Sequence, residues 1–237
     1  MQKNQIMKKI STLLILTLSL LFAFSSSNIY AQNDINKTDN QGRRQGKWID
    51  FHENGSIRYT GEFKNNEPVG EFLYYSEDGT LFAKNKHIKK THICESEIYS
   101  PEGNIIAKGK YCDKKKIDKW EYFSEKNGAL ILVENYENGK IIGKSIAYSP
   151  INQAVIEETE YVDGLKNGVY NKYYDNGKIM VKANYKNDIL DGEYVSYYPN
   201  GVVKEEGLFS EGQKIGEWKT YDMEEGLLSV DVYSDEE

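Results

Sequence analysis

The sequence predicts an all-β fold: an elongated antiparallel repeat sheet of about eight tandem β-hairpins. Three observations predict it. First, equivalent positions recur at Gly46, Gly70, Cys94, Asp118, Gly143, Gly168, Gly192 and Gly216, always 24 or 25 residues apart. Second, aromatic residues return in phase with that spacing. Third, turn glycines separate aromatic, β-branched runs, and no window beyond the N-terminal segment shows sustained helical spacing of apolar residues.

Counting the recurring glycine as position 1, position 3 is aromatic at Trp48, Phe72, Trp120, Tyr170, Tyr194 and Trp218. Position 6 is Phe51, Tyr75, Tyr99, Phe123, Tyr148, Tyr197 or Tyr221, with Tyr174 read as one place late. A turn glycine follows at Gly55, Gly79, Gly103, Gly128, Gly177, Gly201 and Gly226. Asn-Gly or Asp-Gly at this place is a hairpin signal, because both residues tolerate positive φ. A second group (Gly139, Gly164, Gly168, Gly212, Gly216) marks the hand-over to the next hairpin. Side chains at positions 3 and 5 share one sheet face and position 6 takes the other. Small residues at positions 1 and 16, such as Gly61, Gly109, Ala183 and Gly207, are expected to make room for the rings. One hairpin cannot bury enough surface alone, so neighbours complete each repeat.

Residues 1–31 have the form of a secretory signal peptide. Lys3, Lys8 and Lys9 precede an apolar Ile10–Phe24, with cleavage expected after Ala31. The alternative is an uncleaved anchor, but the apolar run is shorter than the ~20 residues of a spanning helix. Export places the protein in an envelope or outside the cell. Residues 32–45 are polar and read as a flexible leader, 46–233 as the repeat domain, and 234–237 as an acidic tail.

The net charge is −7, and −10 once residues 1–31 and their three lysines are removed. An acidic balance opposes nucleic-acid binding and attraction to anionic membranes. Residues 84–119 run against it, with ten lysines and five acids. Lys84, Lys86, Lys89, Lys90, Lys114, Lys115 and Lys116 therefore form a candidate partner surface, and a merely solvated face is the alternative. The same stretch breaks the repeat rule: Cys94 and Ser96 stand at positions 1 and 3, and Asn85 and His87 replace a small residue and an aromatic. Cys94 and Cys112 lie at opposite ends of one hairpin, which makes them a candidate disulfide, with two free thiols as the alternative.

No catalytic constellation stands out. The three histidines, His52, His87 and His92, lack zinc spacing, and no nucleophile elbow, P-loop or dinucleotide fingerprint occurs. No metal, cofactor or enzymatic activity is expected.

The segments GKWIDFHENG, GEFLYYSEDG, GVYNKYYDNG, GEYVSYYPNG and GEWKTYDMEEG resemble the MORN repeat, in the bacterial variant form of YwqK-type antitoxins. The resemblance spans about residues 42–226 and implies a curled sheet of successive hairpins serving as scaffold, tether or binding module. The expected function is non-enzymatic protein binding in a bacterial envelope, through sheet edges or a groove lined by Tyr74, Tyr122, Tyr173 and Tyr197. An antitoxin- or immunity-like inhibitor comes second, and glycan binding on aromatic faces third.

Overall fold

The computed structural model describes residues 34–234. The predicted signal peptide, and residues 235–237 of the predicted tail, lie outside the described residues. All regular structure described is β-strand, as predicted. The chain divides into two compact units, residues 1–79 and 80–237.

In the first unit β1 (Lys37–Thr38), β2 (Arg44–Phe51), β3 (Ile57–Lys64) and β4 (Glu67–Tyr75) pair antiparallel in chain order. The described part of the expected flexible leader is therefore hydrogen-bonded structure. Asp39 explains it: its carboxylate accepts from the Gln41 and Arg43 amides and from the Arg43 side chain, which closes a turn between β1 and β2.

The second unit opens with β5 (Leu81–His87), β6 (Ile93–Tyr99), β7 (Ile105–Cys112), β8 (Lys115–Phe123), β9 (Leu130–Glu137) and β10 (Lys140–Tyr148). It continues with β11 (Val155–Val162), β12 (Leu165–Tyr173), β13 (Ile179–Lys186) and β14 (Ile189–Tyr197), then β15 (Val203–Ser210), β16 (Gln213–Tyr221) and β17 (Leu227–Tyr233). Within this unit each strand pairs antiparallel with the next, from β5–β6 through β16–β17.

Two kinds of turn alternate, and their chemistry is the reverse of the sequence expectation. At the Asn-Gly turns only the glycine has positive φ; the asparagine instead uses its side chain. Asn54, Asn127, Asn176 and Asn200 each accept an amide two residues on and donate Nδ2 to a carbonyl in the next repeat's turn, 23 residues away. His52, Tyr174 and Tyr198 add a second rung, each donating to the carbonyl of the position-6 tyrosine one repeat on. Tyr174 is thus a turn residue, and Tyr173 is the true occupant of position 6. The two-residue turns with both φ values positive are the hand-over turns: Asn65-Asn66, Asp113-Lys114, Asn138-Gly139, Asp163-Gly164, Asn187-Asp188 and Glu211-Gly212. That conformation matches the right-handed twist of the strands it joins.

The long strands are bulged at position 1. Between β7 and β8, Lys108 faces Glu121 and Lys110 faces Ile117, so Gly109 alone opposes Asp118, Lys119 and Trp120. Gly61 and Gly207 oppose three residues in the same way. The ring at position 3 then lies on the lone residue. A Cβ on Gly61 would meet the Phe72 ring at 2.4 Å, and one on Gly109 or Gly207 would meet the Trp120 or Trp218 indole at 2.3 Å. Position 16 is small for the predicted reason. Position 1 is not: Gly46, Gly70, Gly143 and Gly216 have nothing within 4 Å of a Cβ and are glycine for their positive φ, which at Gly70, Gly143 and Gly216 belongs to the bulge.

Size is balanced across each junction. Where position 16 is large, position 3 shrinks to serine: Asn85 pairs with Ser96, and Glu134 opposes the segment Gly143–Ser145. Where it is intermediate, as in Thr159 and Ala183, the ring is a tyrosine, Tyr170 or Tyr194. Trp120 is 0% and Trp218 2% exposed. Each indole donates to a carbonyl beside the bulge, Lys110 O or Leu208 O, at 3.1 Å. Burying on the order of 200 Å² apiece contributes roughly 5 kcal/mol per ring, offsetting the ordering of several residues.

These packings predict unequal costs at two kinds of glycine. Gly109→Ala is expected to lose about 1–3 kcal/mol, because the methyl must displace a buried indole. Gly216→Asn is expected to cost under about 1 kcal/mol, because asparagine tolerates this φ and the space is open. Urea unfolding of both variants checks the pair; equal losses would refute the ring-on-glycine account.

Candidate functional site

Successive residues alternate between faces, and the sheet uses its two faces differently. The aromatic face carries positions 3 and 5 and is closed by the protein's own cations. Lys116 Nζ lies 4.5, 5.1 and 4.9 Å from the ring centroids of Trp120, Tyr122 and Tyr136. It donates to the Tyr122 hydroxyl at 2.7 Å; the Tyr122 and Tyr136 hydroxyls are 3.1 Å apart, and Tyr136 donates to Glu134 at 2.6 Å. Burial pushes the Lys116 ammonium pKa down and the Tyr122 phenol up. The same arrangement recurs with Arg44 over Trp48 and Phe63, Lys166 over Tyr170 and Tyr185, and Lys214 over Trp218. Recurrence at one register position marks a structural device. Lys116 therefore leaves the predicted partner surface, and its network belongs to the core.

The opposite face is polar. Cross-strand pairing aligns Lys84, Glu97, Lys108 and Glu121 in one row of alternating charge. Lys84 pairs with Glu97, and Lys108 and Lys119 both reach Glu121. Glu97 is held below the usual carboxylate range first by Lys84, and Glu121 first by Lys119. An open trough of about 300 Å³ lies over these strands, lined by Glu95, Glu97, Lys108, Lys110, Lys119 and Glu121 among others. Lys86 stands opposite Glu95 in the same strand pair.

Of the four tyrosines expected to line one groove, the three in the second unit do not share a face. Tyr122 lies on the aromatic face beside Trp120, with centroids 6.2 Å apart. Tyr74 packs on Tyr59 and Phe72 within the first unit. Tyr173 and Tyr197 occupy position 6 on the polar face, where Tyr173 donates to Glu158 at 2.8 Å. The single groove is corrected: within the second unit Tyr122, at position 5, and Tyr173 and Tyr197, at position 6, fall on opposite faces because successive strand residues alternate.

The basic stretch is likewise divided. Lys89 and Lys90 lie in the loop between β5 and β6, and Lys114 and Lys115 at the turn between β7 and β8. The loops adjoin: Asp113 N donates to His92 O, and His92 Nδ1 contacts Asp113 Oδ1 at 2.7 Å. All four lysines are exposed, and none takes part in an ion pair among the described residues, unlike Lys84, Lys108, Lys110 and Lys119. This basic turn edge is what remains of the predicted surface.

The expected disulfide is absent, and both cysteines are free. Cys94 pairs with Tyr111 and Cys112 with Ile93, so the thiols are offset by one residue and point to opposite faces. Reasoning from the hairpin's ends found their proximity but missed its parity. Burial pushes the Cys94 thiol pKa up. Among the described residues no group of three or more His, Cys, Asp or Glu is placed to hold a metal ion, and no helix is long and apolar enough to cross a membrane.

Two outcomes follow. Alkylation of the folded protein should label half-buried Cys112 well before buried Cys94, with no mass change on prior reduction; a two-dalton gain on reduction ~ one closed disulfide ~ would contradict this. The second concerns alkaline pH. Burial is the first cause that pushes Tyr136 and Tyr173 up to about 12 and holds Tyr122 and Tyr170 higher still. A phenol whose folded pKa exceeds its unfolded value of about 10 lends stability that is full below that value and lost as pH rises through the folded one. Lys116 acts in the opposite sense, but it is one group against four. Stability should therefore fall between about pH 10 and 12, with tyrosinate absorbance rising together with loss of the β-sheet signal. Ionisation complete before any unfolding would contradict it.

A model of the MORN repeat variant matches residues 44–65, 166–187 and 190–211, which are the hairpins β2–β3, β12–β13 and β14–β15. No curated protein matches the sequence. Among solved structures, the chain is similar to part of the crystal structure of TcdB2-TccC3-Cdc42, at 10% identity and a TM-score of 0.22. That match covers 78% of this chain and 14% of the other, and a likeness at this level carries no functional argument. The finer likeness to YwqK-type antitoxins rests on the motifs alone. The chain is a β-hairpin repeat protein that carries MORN-variant units at three places.

Proposed function

We propose that this is an exported, non-enzymatic repeat scaffold of a bacterial envelope that holds a partner protein with an acidic docking surface. The observation that carries the reading is the basic turn edge: Lys89, Lys90, Lys114 and Lys115 stand exposed, without an ion-pair partner among the described residues, on adjacent loops of a chain whose net charge is −7. Four uncompensated cations on a rigid edge steer an acidic partner and set its register. The MORN-variant hairpins support a binding or scaffold role. Protein is favoured over sugar because the rings that would stack on a glycan, Trp120 and Trp218, are spent in the core. Export rests on the charged and apolar pattern of residues 1–31. An antitoxin-like role is the special case in which the partner is toxic.

Affinity capture from an envelope extract of the source, using the tagged full chain, tests this. One dominant stoichiometric protein is expected. Its recovery should fall at least about tenfold in a Lys89, Lys90, Lys114, Lys115→Glu variant and at raised salt. Circular dichroism should show that the variant folds. Undiminished capture by the variant, or retention of wall polysaccharide in place of protein, would overturn the proposal.

A further inference from the structure

The outer edge of β17 is built unlike the rest of the sheet. In the first unit the Asn36 side chain both accepts from Ile49 N and donates to Ile49 O, each at 2.8 Å, and so covers the outer edge of β2. Among the described residues β17 pairs with β16 alone, and no side chain covers its other edge in this way. It also presents apolar side chains: Leu228, Val230 and Val232, alternate residues on one face, are 62%, 44% and 76% exposed. An uncovered, apolar edge is a template for another strand.

The register rule within the repeats says which strand fits. Within these repeats Phe72, Trp120 and Trp218 each lie on a bare glycine at position 16, Gly61, Gly109 or Gly207, whereas Thr159 and Ala183 are met by the smaller phenol rings of Tyr170 and Tyr194. In β17 that position is Asp231, close in size to Asn85, which is met by a serine. A further forward strand such as β2, with Trp48 at position 3, would drive its indole into the Asp231 side chain. Head-to-tail stacking of copies is thereby blocked.

A second β17 fits. We propose that two copies of this chain pair antiparallel through the outer edges of their β17 strands, about a two-fold axis at Val230. Val230 is the midpoint of Leu227–Tyr233, so the axis uses the whole strand. Val230 then meets its own copy, Leu228 meets Val232 of the second copy, and the exposed apolar stripe becomes a dry cross-strand row. On the other face Ser229 meets Asp231 of the second copy, a hydroxyl opposite a carboxylate. Centring on Asp231 would oppose two carboxylates, and centring on Ser229 would set Leu227 against Asp231, so one register is favoured. The contact is isologous and closes at two chains. The polar-face row ending Glu206, Lys219 and Val230 would continue into its copy.

Sedimentation equilibrium of the full chain over a range of concentrations tests this. The expected mass rises toward twice that of one chain. Val230→Lys places like charges on the axis and should raise the dissociation constant at least about tenfold, and Val232→Lys should act in the same direction. Val169→Lys, at another exposed apolar position, should leave association unchanged. All three positions are solvent-facing, and far-UV circular dichroism checks that each variant folds. A single-chain mass at every concentration would overturn the proposal. So would association that survives both β17 substitutions.

Discussion

The structure depends on one steric fit: a large ring at position 3 lying on a residue of the preceding strand that has no room for a side chain. A single layer of sheet has no second layer against which to bury rings. It must bury them between its own strands, and a Trp120 or Trp218 can be fully covered only where the neighbouring backbone is bare. The bulge at position 1 follows from this requirement, since it inserts the extra residues that carry the ring over the glycine and frees the carbonyl that receives the indole N–H. Trp48 shows the dependence by exception. No return strand of that kind precedes it within its unit, and its Nε1 is buried without a hydrogen-bond partner among the described residues.

The fit also divides the labour of the two faces. Rings, the cations above them and their hydroxyl networks complete the aromatic face, while the polar face is zipped by cross-strand pairs such as Lys108–Glu121. Partly exposed pairs of this kind contribute little apiece, on the order of 0–1 kcal/mol, and they fix register more than stability. What is left unsatisfied lies at the margins: a basic turn edge and an apolar terminal strand. The unsatisfied groups of this molecule thus lie at its edges, and the aromatic repeat itself is architecture.

The irregular third repeat illustrates how local and distant residues compensate. Cys94 at position 1 lacks the positive φ of its counterparts, and the β5–β6 pairing runs without a bulge. Ser96 replaces the ring, Asn85 fills the space, and a longer loop through Lys90 replaces the two-residue turn. Departure from the repeat rule at this point is a coherent alternative packing.

Much of this was legible in the residues. A spacing of 24 or 25, the turn glycines and the ring at position 3 determine hairpins, their order and the small residue at position 16, because these depend on neighbours along the chain and one strand away. Parity and pairing were decided only by the tertiary structure. Whether Cys94 faces Cys112, whether Tyr122 and Tyr173 share a face, and whether Lys116 is a surface charge all turn on shifts of one or two residues at bulges and turns. Because a strand's side chains alternate, a one-residue shift moves a group to the other side of the sheet, and composition holds no record of that shift. The sequence by itself determined which residues must be paired with gaps; the folded register decided which face each side chain reaches.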